Sequence, residues 1–438
     1  MAFENEISEE RIGRGQKMSR LIFHIDVNSA FLSWESARRV KQGLSDLRDI
    51  PACIGGDPKK RTGIVVAKSI PAKKYGITTG EPVAMALRKC PELVIVKSDF
   101  ELYIKCSRAF KEICASYAPV MESFSIDEVF LDMTGTSLIY PDPIKTAHEI
   151  KDKIRDELGF TVNVGISTNK LLAKMASDFE KPDKVHTLFP EEIPQKMWPL
   201  PVGDLFYVGH ASLKKLSNLG IRTIGELAAM NPALLRGHMK SHGQLIWQYA
   251  NGLDDSPVID IPPAAKGYGN SLTTPQDVLD PELAKKYLLS LSETVSARLR
   301  ADGVKISMVS ISLRDWDLRF YGHQVTLSVP TDLTIEIYAA VCRCFDEVWD
   351  GIPLRHLGIH TGRVSRDDFR QIQMFDKVDY EKARKLECAV DSIRKRYGMD
   401  SIKRACFISS PGKAEIDHIG GGISREKRTV DYTKERVL

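Results

Sequence analysis

The sequence predicts a multidomain chain of mixed α/β (α+β) class: a leading β-α-β-β-α-β unit of ferredoxin type, a helical region, and a second, smaller α/β unit. Three observations carry this. Short apolar or alternating runs are separated by helix-length periodic segments between residues 20 and 167. A proline cluster, Pro190, Pro194, Pro199 and Pro201, interrupts that rhythm. Strand and helix patterns then resume between residues 281 and 348. At 438 residues the chain has room for roughly three domains. With 43% hydrophobic and 27% charged residues it excludes a collagen-like, largely disordered or multi-span membrane protein.

In chain order, residues 1–19 form a polar leader without an apolar core, so no secretory signal is expected there. Arg20 to Asp26 reads as a strand ending on a carboxylate, with Ile22, His24 and Asp26 on one face. Asn28 to Gln42 follows as a helix stopped by Gly43. Gly55 to Pro58 and the basic run Lys59-Lys60-Arg61 form a loop before a strand at Gly63 to Ala67. A helix is expected over Tyr103 to Tyr117, and two strand pieces around an acidic centre over Met121 to Met133. Pro143 to Leu158 is helical, and Phe160 to Ser167 alternates as a half-buried strand. Val202 to Gly252 reads as all-helical, and Ile261-Pro262-Pro263 as a linker. Strands are expected over Val304 to Leu313 and Gln324 to Val329, between helices at Pro281 to Ala301 and Leu333 to Val348. The stretch around Gly420-Gly421-Gly422 has the composition of a frayed end.

The 62 basic residues nearly balance 58 acidic ones, so a nucleic-acid partner would have to be served by local patches. The eight cysteines form no C-x-x-C pair, which points to reduced thiols in a cytoplasmic protein. No stretch of ~18 apolar residues suggests a membrane span.

The sharpest chemical feature is Asp26 with Asp127 and Glu128, each at or beside a strand. Clustered carboxylates suit hard cations such as Mg²⁺, which take oxygen ligands and bridge phosphates. Neighbouring residues of a regular strand face opposite ways, so Asp127 and Glu128 converge only where the backbone turns or bulges. On spacing alone, a solvated turn is the better account of the pair.

The strings H-I-D-V-N-S-A-F-L-S-W-E at 24–35, S-I-D-E-V-F-L-D at 125–132, V-G-I-S-T-N-K-L-L-A-K-M-A-S-D at 164–178 and F-E-K-P-D at 179–183 together resemble the Y-family DNA polymerases, the translesion group containing DinB and UmuC. The likeness runs from about residue 20 to 405. It implies a right hand: palm at 20–45 and 92–190, fingers at 46–91, helix-hairpin-helix thumb at 191–258, α/β little finger at 266–365, and a C-terminal region at 366–438. By the resemblance, Asp26, Asp127 and Glu128 are catalytic ligands of two Mg²⁺ ions, with the Val27 carbonyl as a further ligand. It makes Phe31 the steric gate that excludes a ribose hydroxyl, and sets Lys181 and Lys73 against the incoming nucleotide. Substrates would be primed template DNA and deoxynucleoside triphosphates.

This sequence departs from the family pattern at five points, four of them near the carboxylates and fingers. Lys73 replaces an arginine and so loses the bidentate fork. Ile70 stands for a tyrosine, Asn28 for a second aspartate and Ala30 for an aromatic. Lys68 and Lys74, with the basic loop, lie along the phosphate path that the likeness implies. In the thumb, Gly209-His210-Ala211 resembles the phosphate-gripping turn of a helix-hairpin-helix, with Ala211 in place of the usual second glycine. Gln371-Ile372-Gln373-Met374-Phe375 resembles a sliding-clamp docking peptide, in which a glutamine anchors and two apolar residues plug a groove. His356, His360 and Asp132 read as structural. A monomer that copies DNA by two-metal nucleotidyl transfer is expected. The alternatives are a non-catalytic DNA- and clamp-binding repair factor and a nucleotide cyclase.

Overall fold

The computed structural model describes residues 20–56, 63–366, 379–398 and 401–407. The described residues divide into two compact bodies, one holding 20–56 and 64–262, the other 263–366, 379–398 and 401–407.

The first body is organised on β1 (Ile22–Val27), buried along its whole length. It is followed by α1 (Ala30–Lys41), which stops at Gly43 with φ +74°, a conformation glycine adopts without steric cost. An inserted unit comes next: β2 (Ala52–Gly55), β3 (Val65–Lys68), α2 (Ile70–Lys74), α3 (Val83–Lys89) and β4 (Val94–Val96), its sheet ordered β3-β2-β4. Its small core is Cys53, Val65, Ala72, Ile77, Val83 and Leu93, separate from the main one. The chain returns through α4 (Phe100–Ala115), β5 (Val120–Ser123), β6 (Glu128–Asp132), α5 (Pro143–Leu158), β7 (Val162–Ser167), α6 (Lys170–Ser177) and β8 (Val185–Thr187).

The main sheet runs β5-β6-β1-β7-β8, with β1 antiparallel to both neighbours. Trp34, Tyr103, Phe110 and Ile150 from the helices, and Phe160 from the link after α5, bury against it. Both the expected helix Pro143–Leu158 and the paired strands around the acidic centre are present. At Gly165 β7 and α6 approach so closely that a Cβ would stand 1.9 Å from the Ala173 carbonyl oxygen. A helical segment follows: α7 (Ile193–Lys196), α8 (His210–Asn218), α9 (Ile224–Ala229) and α10 (Pro232–Ala250), with Leu216, Ile224, Leu227 and Ile246 at its core. Thr223 and Glu226 form a capping box at the start of α9.

The second body contains β9 (Gly269–Val278), α11 (Pro281–Ala301), β10 (Lys305–Asp315), β11 (Phe320–Thr331), α12 (Thr334–Val348) and β12 (Leu354–Ser365). Its antiparallel sheet is ordered β11-β10-β12-β9, with α11 and α12 packed on one face. Strands β10 and β11 and the two helices follow the sequence expectation. β12 holds the strand-like run of His356 and His360, while β9 adds itself unannounced because its Gly, Ser and Thr residues sit on the uncovered face, which hides the hydrophobic alternation. A further helix, α13 (Tyr380–Tyr397), was not anticipated. It is clipped to this body by polar groups: Glu387 and Asp391 on Arg300, Tyr380 and Arg384 on Asp332, and Arg394 on Glu293.

Candidate active site

The antiparallel register of β1 and β6 sets Asp26 directly opposite Glu128. Asp127 lies one residue before β6, in a turn, and its carbonyl accepts the Val27 N–H at 3.0 Å. The turn demanded by an acidic pair is therefore present, and all three carboxylates stand at one end of two neighbouring strands. Ser125 shapes it, its hydroxyl donating to Asp127 Oδ1 at 2.6 Å. From α4, the buried Lys111 ammonium donates to Ser125 O at 2.6 Å and Ser123 Oγ at 2.8 Å, locking the turn from behind.

Each carboxylate is balanced from within the chain. Asp26 is 8% exposed and pairs with Lys181, which also holds Asp178 at 2.8 Å. Burial pushes the Asp26 carboxyl up to about 6, against the pull of the Lys181 charge. Desolvation pulls Lys181 down, but Asp26 and Asp178 together outweigh it and hold the ammonium above its usual range. Glu128 accepts from Lys174 Nζ at 3.0 Å. Burial opposes its ionisation, yet His24 and Lys174 beside it hold its carboxyl well below the ordinary value. Asp127 is raised by burial, with the Ser125 hydroxyl working against that. Burial lowers Lys111 to about 8 and His24 to about 4, so His24 is neutral at pH 7. The His24 Nδ1 meets Ser177 Oγ at 2.8 Å; that hydroxyl spends its proton on Lys174 O, so the imidazole donates.

As they stand, no three His, Cys, Asp or Glu side chains among the described residues close around one point, because Asp26 and Glu128 are drawn onto lysines. The donor set nevertheless fits a hard divalent cation. It is all oxygen, its carboxylates sit on adjoining strand ends, and Asp26 is buried at a cost that a second positive charge would offset.

Phe31, in the first turns of α1, stacks on Tyr103 with centroids 4.6 Å apart and meets Trp34 and Phe100 edge-on at 5.8 and 6.2 Å. The ring is only half-buried, braced from behind by aromatics that are part of the core. Lys73 is exposed on α2, and among the described residues no hydrogen bond or ion pair joins it to the carboxylates. Gly209 is the N-cap of α8, with no side chain capping the helix, and His210 and Ala211 are its first residues. Asp132 accepts from Thr134 N at 3.0 Å, and His356 pairs with Thr273 Oγ1 at 3.0 Å, both structural as expected. The basic run 59–61, the peptide 371–375 and Gly420–Gly422 lie outside the described residues.

Four residues around the site escaped the sequence reading of chemistry: His24, Lys111, Ser125 and Lys174. His24 and Ser125 lie beside the carboxylates in the quoted strings, and Lys174 lies within a third; Lys111 had no local signal at all, since its partner turn is 12–14 residues away.

Comparison with known proteins gives the family. Residues 25–178 match the impB/mucB/samB family, 265–374 its C-terminal domain, and 190–221 the IMS family HHH motif. A protein named DNA polymerase IV from Clostridium acetobutylicum is 43% identical over 90% of this chain and all of its own length. DNA polymerase IV 2 of Bacillus subtilis is 38% identical over 90% of the chain and 96% of its own. A solved Y-family DNA polymerase chimera of Dbh and Dpo4 shares the fold at a TM-score of 0.69 and 20% identity, covering 79% of this chain and 100% of its own. With this likeness running almost end to end, and with the acidic strand ends and the half-buried aromatic beside them, the chain belongs to the impB/mucB/samB family of Y-family DNA polymerases.

Proposed function

We propose that the protein extends a DNA primer on a template, with Asp26, Asp127 and Glu128 holding two Mg²⁺ ions and the Val27 carbonyl completing the set. The observation that carries this is the β1–β6 register, which sets Asp26 opposite Glu128 with Asp127 in the adjoining turn. When bound, the ions would activate the primer 3′-hydroxyl and neutralise charge on the transferred phosphoryl group and pyrophosphate. The chain's own part is positional. Lys111 and Ser125 hold the turn, Lys174 keeps Glu128 ionised, and Lys181 releases Asp26 to meet the triphosphate. Phe31, stiffened by Tyr103, presents its ring to the sugar and leaves no volume for a 2′-hydroxyl. Lys73 offers a point charge to the phosphates, and the N-terminus of α8 at Gly209, His210 and Ala211 offers backbone N–H groups to the DNA backbone.

Translesion synthesis at low fidelity, by a cytoplasmic monomer docking on a sliding clamp through residues 371–375, completes the reading. It is supported by the family, by the eight cysteines all being free thiols, and by no helix among the described residues being long and apolar enough to cross a membrane.

The test is Asp127→Ala. Primer extension should fall by at least about three orders of magnitude, while affinity for primed DNA in the absence of nucleotide stays within twofold. Extension at the wild-type rate would refute the mechanism.

A further inference from the structure

Asn28 is the hub of a buried hydrogen-bond network that the polymerase reaction as described does not use. Its side chain is 8% exposed and that of Asn163 is fully buried. Asn28 Nδ2 donates to Asn163 Oδ1 at 3.0 Å, while its Oδ1 accepts from Thr161 Oγ1 and from the Asp183 backbone N–H, both at 3.0 Å. Asn163, the cross-strand partner of Asp26 on β7, donates through Nδ2 to the carbonyls of Ser177 at 3.0 Å and Glu180 at 2.6 Å. Its Oδ1 also accepts from Lys184 N at 3.3 Å. Two amides thus grip the segment 177–184 at both sides of Lys181, the residue whose ammonium reaches Asp26. Lys151 supports the same loop by its ion pair with Asp183 at 3.0 Å.

The chemistry requires an amide at position 28. An amide both donates to Asn163 and accepts twice, whereas an ionised carboxylate of the same shape has no proton to donate. A carboxylate keeps the two acceptances but turns a bare oxygen onto Asn163 Oδ1. Asn163 cannot turn over to help, because that would set its oxygen against the Ser177 and Glu180 carbonyls. A network of this kind is satisfied in one arrangement only, so it specifies the geometry of whatever it joins.

We infer that the Asn28–Asn163 pair is a positioning device: it ties the strand end bearing Asp26 to the loop bearing Lys181 and so sets where that lysine meets the nucleotide triphosphate. This rests on the reading of Lys181 as a triphosphate-binding residue, and the experiment separates the two. Single-nucleotide primer extension is measured for the wild type, Asn28→Asp, Asn163→Ala, the double variant and Lys181→Ala. Alongside it, the binding of a deoxynucleoside triphosphate to the enzyme on a dideoxy-terminated primer–template is measured. Asn28→Asp should raise the nucleotide KM and its Kd roughly tenfold, with kcat changed by less than about threefold and affinity for primed DNA unaltered. Once Asn163→Ala has removed the opposing oxygen, adding Asn28→Asp should shift KM by less than about twofold. Should Asn28→Asp fail to fold, Thr161→Val removes one donor without changing shape and should raise KM roughly threefold.

An unchanged KM in Asn28→Asp, or an equal rise in both backgrounds, overturns the positioning role. If Lys181→Ala itself leaves KM and Kd unmoved, the reading of Lys181 is wrong and the inference falls with it.

Discussion

Replacing Asp26 by asparagine should make the metal-free protein more stable while abolishing its activity. Burial moves this carboxyl from its usual 3.8 to about 6 even with Lys181 beside it. At ~1.4 kcal/mol per pH unit, ionised Asp26 costs the folded state up to ~3 kcal/mol at pH 7 relative to its neutral form, and asparagine mimics that neutral form at nearly equal volume. Its side chain is 12% exposed, so solvent screening removes little of this. Lys181 keeps Asp178 at 2.8 Å as a partner. The sign follows from proton uptake. Because the folded pKa lies above the unfolded one, the folded state holds more protons between pH 4 and 6, so this group's favourable contribution is present below about pH 4 and is lost as pH rises through about 6. The gap between variant and wild type should therefore be nearly zero at pH 4 and reach ~3 kcal/mol by pH 7, or roughly 6–12 °C in melting temperature for a cooperative body of this size. Urea denaturation of both proteins in EDTA at pH 4.5, 6 and 7.5 measures it. A variant less stable than wild type at pH 7.5, or a difference independent of pH, would refute the claim that an uncompensated buried charge waits at this position. Saturating divalent cation should narrow the gap by stabilising the wild type alone.

Phe31→Ala should raise incorporation of ribonucleotides relative to deoxynucleotides by roughly one to two orders of magnitude, read as the ratio of kcat/KM values; an unchanged ratio removes Phe31 from the gate. Gly165→Ala should destabilise the first body by about 3 kcal/mol, since the new methyl would meet the Ala173 carbonyl at 1.9 Å and the Ser177 nitrogen at 2.5 Å; thermal melting checks it, and a wild-type midpoint would show that β7 and α6 do not approach so closely. Changing Gln371 and Phe375 to alanine together should bring the stimulation of extension by the sliding clamp down toward unity on a long primed template, and retained stimulation would dismiss the peptide.

The thumb was legible because prolines punctuate the chain, and the main sheet because β1 and β7 carry strong apolar runs between helices of clear periodicity, whereas in the inserted unit only β3 was read from the residues themselves. β9 was harder: its uncovered face bears Gly269, Ser271 and Thr273, a pattern that reads as loop, whereas the run around His356 and His360 in its partner β12 reads as strand. α13 was missed because its docking face is polar. Tyr380, Arg384, Glu387, Asp391 and Arg394 recur at helical spacing but find their partners, Asp332, Arg300 and Glu293, 48 to 101 residues earlier.

The amino-acid order alone determined the family, the acidic trio, the aromatic beside it and the basic residues near them, because those residue types sit in short local strings whose chemistry needs no neighbour to be recognised. Only the folded chain decided that Asp26 faces Glu128, that these two carboxylates each lean on a lysine, and that Asn28 reaches through Asn163 to the loop of Lys181. Those outcomes depend on strand register and on burial. Both arise from contacts between residues more than a hundred positions apart, where an ammonium or an amide carries no sign of which partner it will meet until the sheet brings them together.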